Sequence, residues 1–373
     1  MIEYFRFLGI IWYGDNVMLE YFLESYIVTT LGLIFAFFWG EHVHPGSGFA
    51  CIFIALVLGA LEISLSFDNA VVNAMKLEKM SHAWRHRFLT WGIIIAVFGM
   101  RFLFPILVVS IFAKLKMIEV AKIALMDADK YAYYLHETHD PIVTFGGMFL
   151  IMLFLNYFFD NEKEIHWIRP IENWLAHLDH MKGIEILLSL LALLATQYVV
   201  PQESKVAVMI AGVSGIITYL AIDGFTHYLE KHEHMRLEKC SIEAAGCTGL
   251  VSFIYLELID ASFSLDGVLG AFAISKDIII ISIGLAIGAM FVRSLTIMLV
   301  EKKTLKQFLY LEHGAHWAIG ALAILMLIST VKELPEVVTG GIGLIFIVSA
   351  LISSIMHNRK LERLLAERKE ENA

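Results

Sequence analysis

The sequence predicts an all-α polytopic membrane protein. About ten transmembrane helices are expected, built from an inverted-topology repeat, with both termini in the cytoplasm. Three observations carry this. The chain of 373 residues is 58% hydrophobic, with mean hydropathy +0.71, against about 45–50% apolar for a soluble domain. Its apolar residues gather in runs that match the roughly 20 residues a helix needs to cross hydrocarbon. An acidic motif inside one run recurs inside another, at matched spacing.

Taken in order, residues 1–21 form an N-terminal segment with Glu3, Arg6, Asp15 and several aromatics. It lacks the cleavage site of a secretory signal. It reads as an interfacial helix, with Met18 as an alternative start. Spans follow at about 22–40, 48–74, 88–113, 142–159, 184–200, 205–228, 244–274, 278–300, 314–331 and 337–356. The first repeat covers 22–159, a linker with an extra span 160–204, and the second, inverted repeat 205–356. A charged tail, 357–373, extends the last span into water. The fifth span is short, and the turn Pro201-Gln202-Glu203-Ser204 joins it to the sixth.

Charge fixes the orientation. Of the 28 Lys and Arg, 19 fall on the side of the N-terminus and 7 on the other, while Arg101 and Arg293 lie inside spans. The positive-inside rule then puts both ends in the cytoplasm. The net charge of −9 sits in loops and argues against a nucleic-acid partner. Cys51, Cys240 and Cys247 lack metal-ligand spacing and read as small packed hydrophobes.

The second span holds "EISLSFDN", Glu62 to Asn69, and the seventh holds "DASFSLDG", Asp260 to Gly267. Glu62 aligns with Asp260, Ser64 with Ser262, Ser66 with Ser264 and Asp68 with Asp266. An isolated arginine follows in the next span of each copy, Arg101 and Arg293. A His-x-x-His pair then precedes the span after, His136/His139 and His313/His316. This is an internal duplication. Its copies lie five spans apart, an odd offset, so they enter the membrane from opposite sides, as in many secondary transporters.

At about 100° per residue, Glu62, Ser66, Asn69 and Asn73 share one helix face. Asp68 lies off it, so one ligand can reach both acids only if the helix breaks near Ser66-Phe67. Serines and asparagines alone would be ordinary interhelical glue. Four carboxylates are not, because each costs several kcal/mol at mid-bilayer. Carboxylates, hydroxyls and an amide, with no Cys or deep His, suit a hard dication such as Mg²⁺, Ca²⁺ or Mn²⁺. The expected metal ligands are Glu62, Ser66, Asp68, Asn69, Asp260, Ser264 and Asp266, with Arg101 and Arg293 as counter-ions of the empty site. Glu257 and Asp223 are further candidate acids. The histidines of the 136–140 loop end and of "HYLEKHEHMRLEK" read as solvated loop residues.

"EISLSFDNAVV" and "ELIDASFSLDGV" resemble the paired signatures of the TerC family of integral membrane proteins, within the LysE-like transporter superfamily. "YLEHGAHWAIGALAILML" resembles the region after the second signature. The outer loop near 114–141, the "WIRPIE" loop at 167–172 and the length resemble a longer branch of that family. The resemblance implies Mn²⁺ efflux, a link to tellurite resistance, and ion binding by Glu62, Asp68, Asn69, Asp260 and Asp266. Gly267 stands where the first copy has Asn69, so the second half-site lacks an amide. The expected partners are a divalent metal ion as substrate and the lipid bilayer, with a homo-oligomer or translocation machinery left open. The expected location is a bacterial inner (plasma) membrane. The alternative is a membrane scaffold assisting membrane-protein insertion or metalation of exported proteins. No cofactor and no enzymatic activity are expected: the sequence has no P-loop, nucleophile elbow or phosphate cradle.

Overall fold

The computed structural model describes residues 15–371 except 44, 93, 96–98, 100–102, 161–162, 164, 178–182, 237–248, 261–270, 272–273, 276, 302–307, 332–333 and 335. Over them the chain is helical, with no strand among the described residues. The helices are α1 (Asp15–Val43), α2 (Gly48–Leu65), α3 (Phe67–Lys79), α4 (His82–Arg87), α5 (Phe104–Phe112), α6 (Met117–Met126), α7 (Ala128–Glu137), α8 (His139–Phe158), α9 (Arg169–His177), α10 (Ile184–Val199), α11 (Lys205–Arg236), α12 (249–260), α13 (Ile278–Glu301), α14 (Leu311–Ser329) and α15 (Glu336–Glu371). A π-helical stretch, Phe88–Gly92, continues α4.

Seven helices are long and apolar enough to cross a membrane: α1 from Tyr21, α2, α8, α11 as far as Phe225, α13, α14, and α15 over Gly341–Lys360. They make the chain a multi-pass membrane protein, and they fall on seven of the ten expected spans. The other three differ in kind. The fifth, α10, has 16 residues, about 24 Å of helix against roughly 30 Å of hydrocarbon. The third appears as the Phe88–Gly92 stretch and α5, which opens on Pro105, with much of 93–102 outside the described residues. The seventh is described as α12, and 261–270 lie outside the described residues. So do residues 1–14 and 237–248; the run that holds His227, His232 and His234, expected as a loop, instead continues α11 as far as Arg236.

The layers follow from what each helix shows its neighbours. α8 sits at the centre, with 78% of its apolar window buried, against 11% for α1 at the rim. Rim helices turn large apolar side chains outward, among them Phe38, Phe53 and Ile345. In water that would be costly; against lipid tails it is neutral. Polar contacts instead bind α1 to α13 along its length. Ser25 donates to the Met290 carbonyl at 2.8 Å and lies 2.8 Å from Ser294. Tyr21 donates to Glu301, and Trp39 to Asp277 at the far end.

Contacts also fix helix directions. Gly59 packs on Gly284 and Glu62 on Gly288, so α2 and α13 run parallel. Phe88 packs on Phe253 and Gly92 on Glu257, so the stretch after α4 runs parallel to α12. α8 runs antiparallel to α14, with Gly147 against Met326 and Phe158 against Trp317. α3 runs antiparallel to α12, because Asn69 meets Asp260 while Lys76 meets Tyr255.

The main core draws on α3, α8, α10, α12, α14 and α15, from both halves of the chain. A separate apolar cluster, including Leu58, Ile106, Val120, Tyr131 and Ile281, packs α5, α6 and α7 over the end where α2 and α13 begin.

Candidate functional site

The second expected span is broken at Ser66. α2 ends at Leu65 and α3 begins at Phe67; Ser66 between them takes φ −97° and ψ 14°. The break is slight, since the Ser66 N–H still reaches the Glu62 carbonyl and the Ala70 N–H reaches Ser66. It falls at the place where a shared ligand of Glu62 and Asp68 would need one. Asp68 stands in the first turn of α3.

The polar face keeps its register across the break. Glu62, Ser66, Asn69 and Asn73 are all buried, inside helices whose other faces are apolar. Ser66 Oγ donates to Glu62 Oε1 at 2.9 Å. The stem of Glu62 lies on Gly288 of α13, in the space a β-carbon there would occupy. That glycine is what lets the carboxylate sit between the two helices.

The second copy meets this face. Asn69 Nδ2 donates to Asp260 Oδ1, joining residues 191 apart in sequence. One turn earlier on α12, Glu257 is 8% exposed, and neither of its carboxyl oxygens has a hydrogen-bond partner among the described residues. Its Oε1 would lie 3.1 Å from a β-carbon placed on Gly92. Glu62, Ser66, Asn69 and Asp260 are therefore placed at one buried interface. Ser264, Asp266 and Arg101 lie outside the described residues. Arg293 pairs with Glu24 of α1, an acid the sequence reading did not single out although it stands alone in an apolar span. Among the described residues, no group of three or more His, Cys, Asp or Glu side chains converges as a metal cage. A site here must draw on the amide and hydroxyl oxygens as well.

A cavity of about 200 Å³ opens beside this interface, between α3, α8, α11, α12 and α14. Val72 and Ile259, next to Asn73 and Asp260, line its floor. Lys76, Lys163, Asp160, Asp223 and Glu312 bring charge to its walls, and His316 an imidazole ring. Lys76 Nζ lies 4.6 Å from the Tyr255 ring centre, and Tyr157 stacks on His316 at 3.4 Å. The cavity thus has polar walls and room for several waters, and Val72 and Ile259 separate it from Asn69 and Asp260.

A second buried cluster escaped the sequence reading. Glu172 of α9 is 1% exposed. It accepts the N–H groups of Trp167 and Ile168 at 2.8 and 3.2 Å and the Trp317 indole at 2.9 Å. His313 Nδ1 lies 3.0 Å away. Burial alone would raise its carboxyl. His313, Trp317 and the Ile168 N–H outweigh that and hold it at about 2. This cluster docks the "WIRPIE" loop onto α14. Of the duplicated histidine pairs, His313 and His316 are buried, while His139 lies beside Asp140 at 3.2 Å, at the start of α8.

A family model described as "Protein of unknown function (DUF475)" matches residues 67–361. The chain belongs to this family. The match begins at Phe67, just after the Ser66 break, and takes in Asn69, Asn73, Glu257, Asp260 and the cavity. No curated protein and no solved structure matches the chain.

Proposed function

We propose that this protein is a membrane transporter for a hard divalent cation, with Mn²⁺ efflux as its activity, as its resemblance to the TerC family implies. One observation carries the reading. Two acidic motifs far apart in sequence meet inside the membrane-spanning bundle, where Asn69 donates to Asp260 and Glu62 and Glu257 are buried nearby. A carboxylate in that position costs about 3 kcal/mol or more. Polar glue between helices needs only amides and hydroxyls. A dication repays the cost of several acids at once, and oxygen-only ligands select a hard one.

The proposed architecture is ten spans in two inverted halves, with both termini inside a bacterial inner (plasma) membrane. The antiparallel course of α3 and α12 supports the inversion. So does the packing register. If Glu62 corresponds to Asp260 and Arg101 to Arg293, then Gly59 corresponds to Glu257 and Gly284 to Gly92. The pairs in contact are Gly59 with Gly284, and Glu257 with Gly92. Each copy thus packs its motif helix on the following span of the other, at the same height.

The ligands are Glu62, Ser66, Asp68, Asn69, Asp260, Ser264 and Asp266. Arg101 and Arg293 are the proposed counter-ions of the empty site, although Arg293 pairs with Glu24 of α1, an acid outside both motifs. The test is uptake of Mn²⁺, Ca²⁺ and Mg²⁺ in proteoliposomes, with thermal stability measured for every variant. The Asp68→Asn, Asp266→Asn double variant is expected to stay folded and to lose dication transport. Transport at the wild-type rate by that variant would remove the site assignment.

A further inference from the structure

Glu257 has no counterpart in the first copy, where Gly59 holds its place. Asn73 has none in the second, where Ala271 holds its place. The copies are therefore chemically unlike: the first supplies amides, the second an extra carboxylate. Both residues stand one turn from the Asn69–Asp260 contact, on the side of the cavity. Because α3 and α12 are antiparallel, four residues along α3 and three along α12 lead to nearly one level, about 6 and 4.5 Å from that contact. Lys76 and Tyr255 mark the same direction further on.

Both residues also have acceptors in want of a partner. Among the described residues, nothing hydrogen-bonds either oxygen of Glu257 or the Oδ1 of Asn73, and the two side chains are 8% and 5% exposed. A buried acceptor without a donor costs free energy in any fold. Here three such oxygens stand at nearly one level by helical rise, between antiparallel helices, in the direction of the cavity that Val72 and Ile259 line. Oxygen acceptors with no donor are what a hard cation binds, and what a packing role would have eliminated.

We propose that Glu257, with the Asn73 carbonyl level with it, forms a second divalent-cation position, one turn to the cavity side of Asn69 and Asp260. It rests on the transporter reading and deepens it. An ion arriving through the cavity meets this amide–carboxylate pair first and the motif pair second. Two positions a turn apart let an entering cation repel the one ahead of it, which favours release from a site that also binds. Gly92 is part of the design, because any side chain there would press on the Glu257 carboxylate.

The experiment is Mn²⁺ titration calorimetry on the purified full chain in lipid nanodiscs. The wild type is expected to bind two ions, and Glu257→Gln one, with the affinity of the remaining ion changed less than threefold. Asn73→Ala is expected to weaken the second ion about tenfold, and Glu257→Asp to keep both. Melting without metal guards against misfolding. Glu257→Gln should melt no lower than the wild type, since it keeps the shape and removes an unpartnered buried carboxyl; Asn73→Ala tests the same position if Glu257→Gln does not fold. Two ions retained by both Glu257→Gln and Asn73→Ala, or one ion in the wild type lost only by Asp68→Asn with Asp266→Asn, would overturn the second position and leave the transporter reading standing. A wild type that binds no dication would overturn both.

Discussion

Glu172 accepts two backbone N–H groups and an indole, with His313 beside it. Its carboxyl is held at about 2, below the ordinary 4.5. A depressed carboxylate stabilises the fold above its unfolded value, and that contribution fades as pH falls toward the folded one. The wild type should therefore lose stability between about pH 5 and pH 2. Glu172→Gln keeps the shape and removes the charge. It should cost about 3 kcal/mol at neutral pH and flatten the acid limb of a melting-against-pH series. An unchanged midpoint at pH 7 would show the docking of α9 to be incidental. Sequence alone could not find this residue. A glutamate in a polar loop is ordinary, and only the docking of that loop on α14 buries it. Glu62, Ser66, Asn69 and Asp260 were legible for the opposite reason: a polar group within an apolar run is anomalous before any tertiary contact is known. Glu257 was visible as an acid, but its lack of a partner is a property of the packed bundle.

Helical arithmetic made a break near Ser66 the condition for Glu62 and Asp68 to share a ligand; the turn at Ser66 stands at that place, but the i to i−4 hydrogen bonds run through it. Most apolar runs were legible in the same way, since length and composition decide whether a helix crosses hydrocarbon. The π-helical turn in the stretch from Phe88 to Phe112 was not. That stretch's run of apolar residues reads as one span, yet it opens as a π-helical stretch and closes as a short helix after Pro105, and composition does not report such departures. Glycine at the α2–α13 contact was missed too, as its meaning depends on the neighbour. Gly288 leaves room for the stem of Glu62 and lies close to the Gly59 carbonyl, at 2.9 Å from a built β-carbon. Gly288→Ala must push the helices apart or swing Glu62 away, costing about 1–3 kcal/mol. Transport should fall with it. Gly341→Ala, where a β-carbon meets nothing within 4 Å, should be silent in both melting and transport. Equal behaviour of the two variants would mean that α2 and α13 are not held at this distance.

The apolar cluster and the polar cavity lie at opposite ends of the motif helices. From Leu58 in the cluster to Lys76 at the cavity, α2 and α3 run about 27 Å at 1.5 Å per residue, close to the thickness of hydrocarbon. The buried acids lie between. Leu58, Ile106, Val120, Tyr131 and Ile281 pack one end with apolar side chains, whereas a cavity of about 200 Å³ lies toward the other. In the proposed orientation, with the basic loops inside, the cavity end faces the cytoplasm and the apolar end faces out. On the proposed transporter reading, this is a cytoplasm-open state that loads an ion for export. Single cysteines test this in a background with Cys51, Cys240 and Cys247 changed to serine. Lys76→Cys, on the cavity wall, should react with a membrane-impermeant maleimide only in inverted vesicles, and Mn²⁺ should slow the reaction. Lys130→Cys, exposed on α7 beyond the apolar cluster, should react only from the outside of intact cells. Labelling of both from one side would mean that the cavity and the α6–α7 pair share a face, and the inverted arrangement would fall. Labelling of Lys76→Cys from both sides would mean that the apolar cluster does not seal, and export would then need a different barrier.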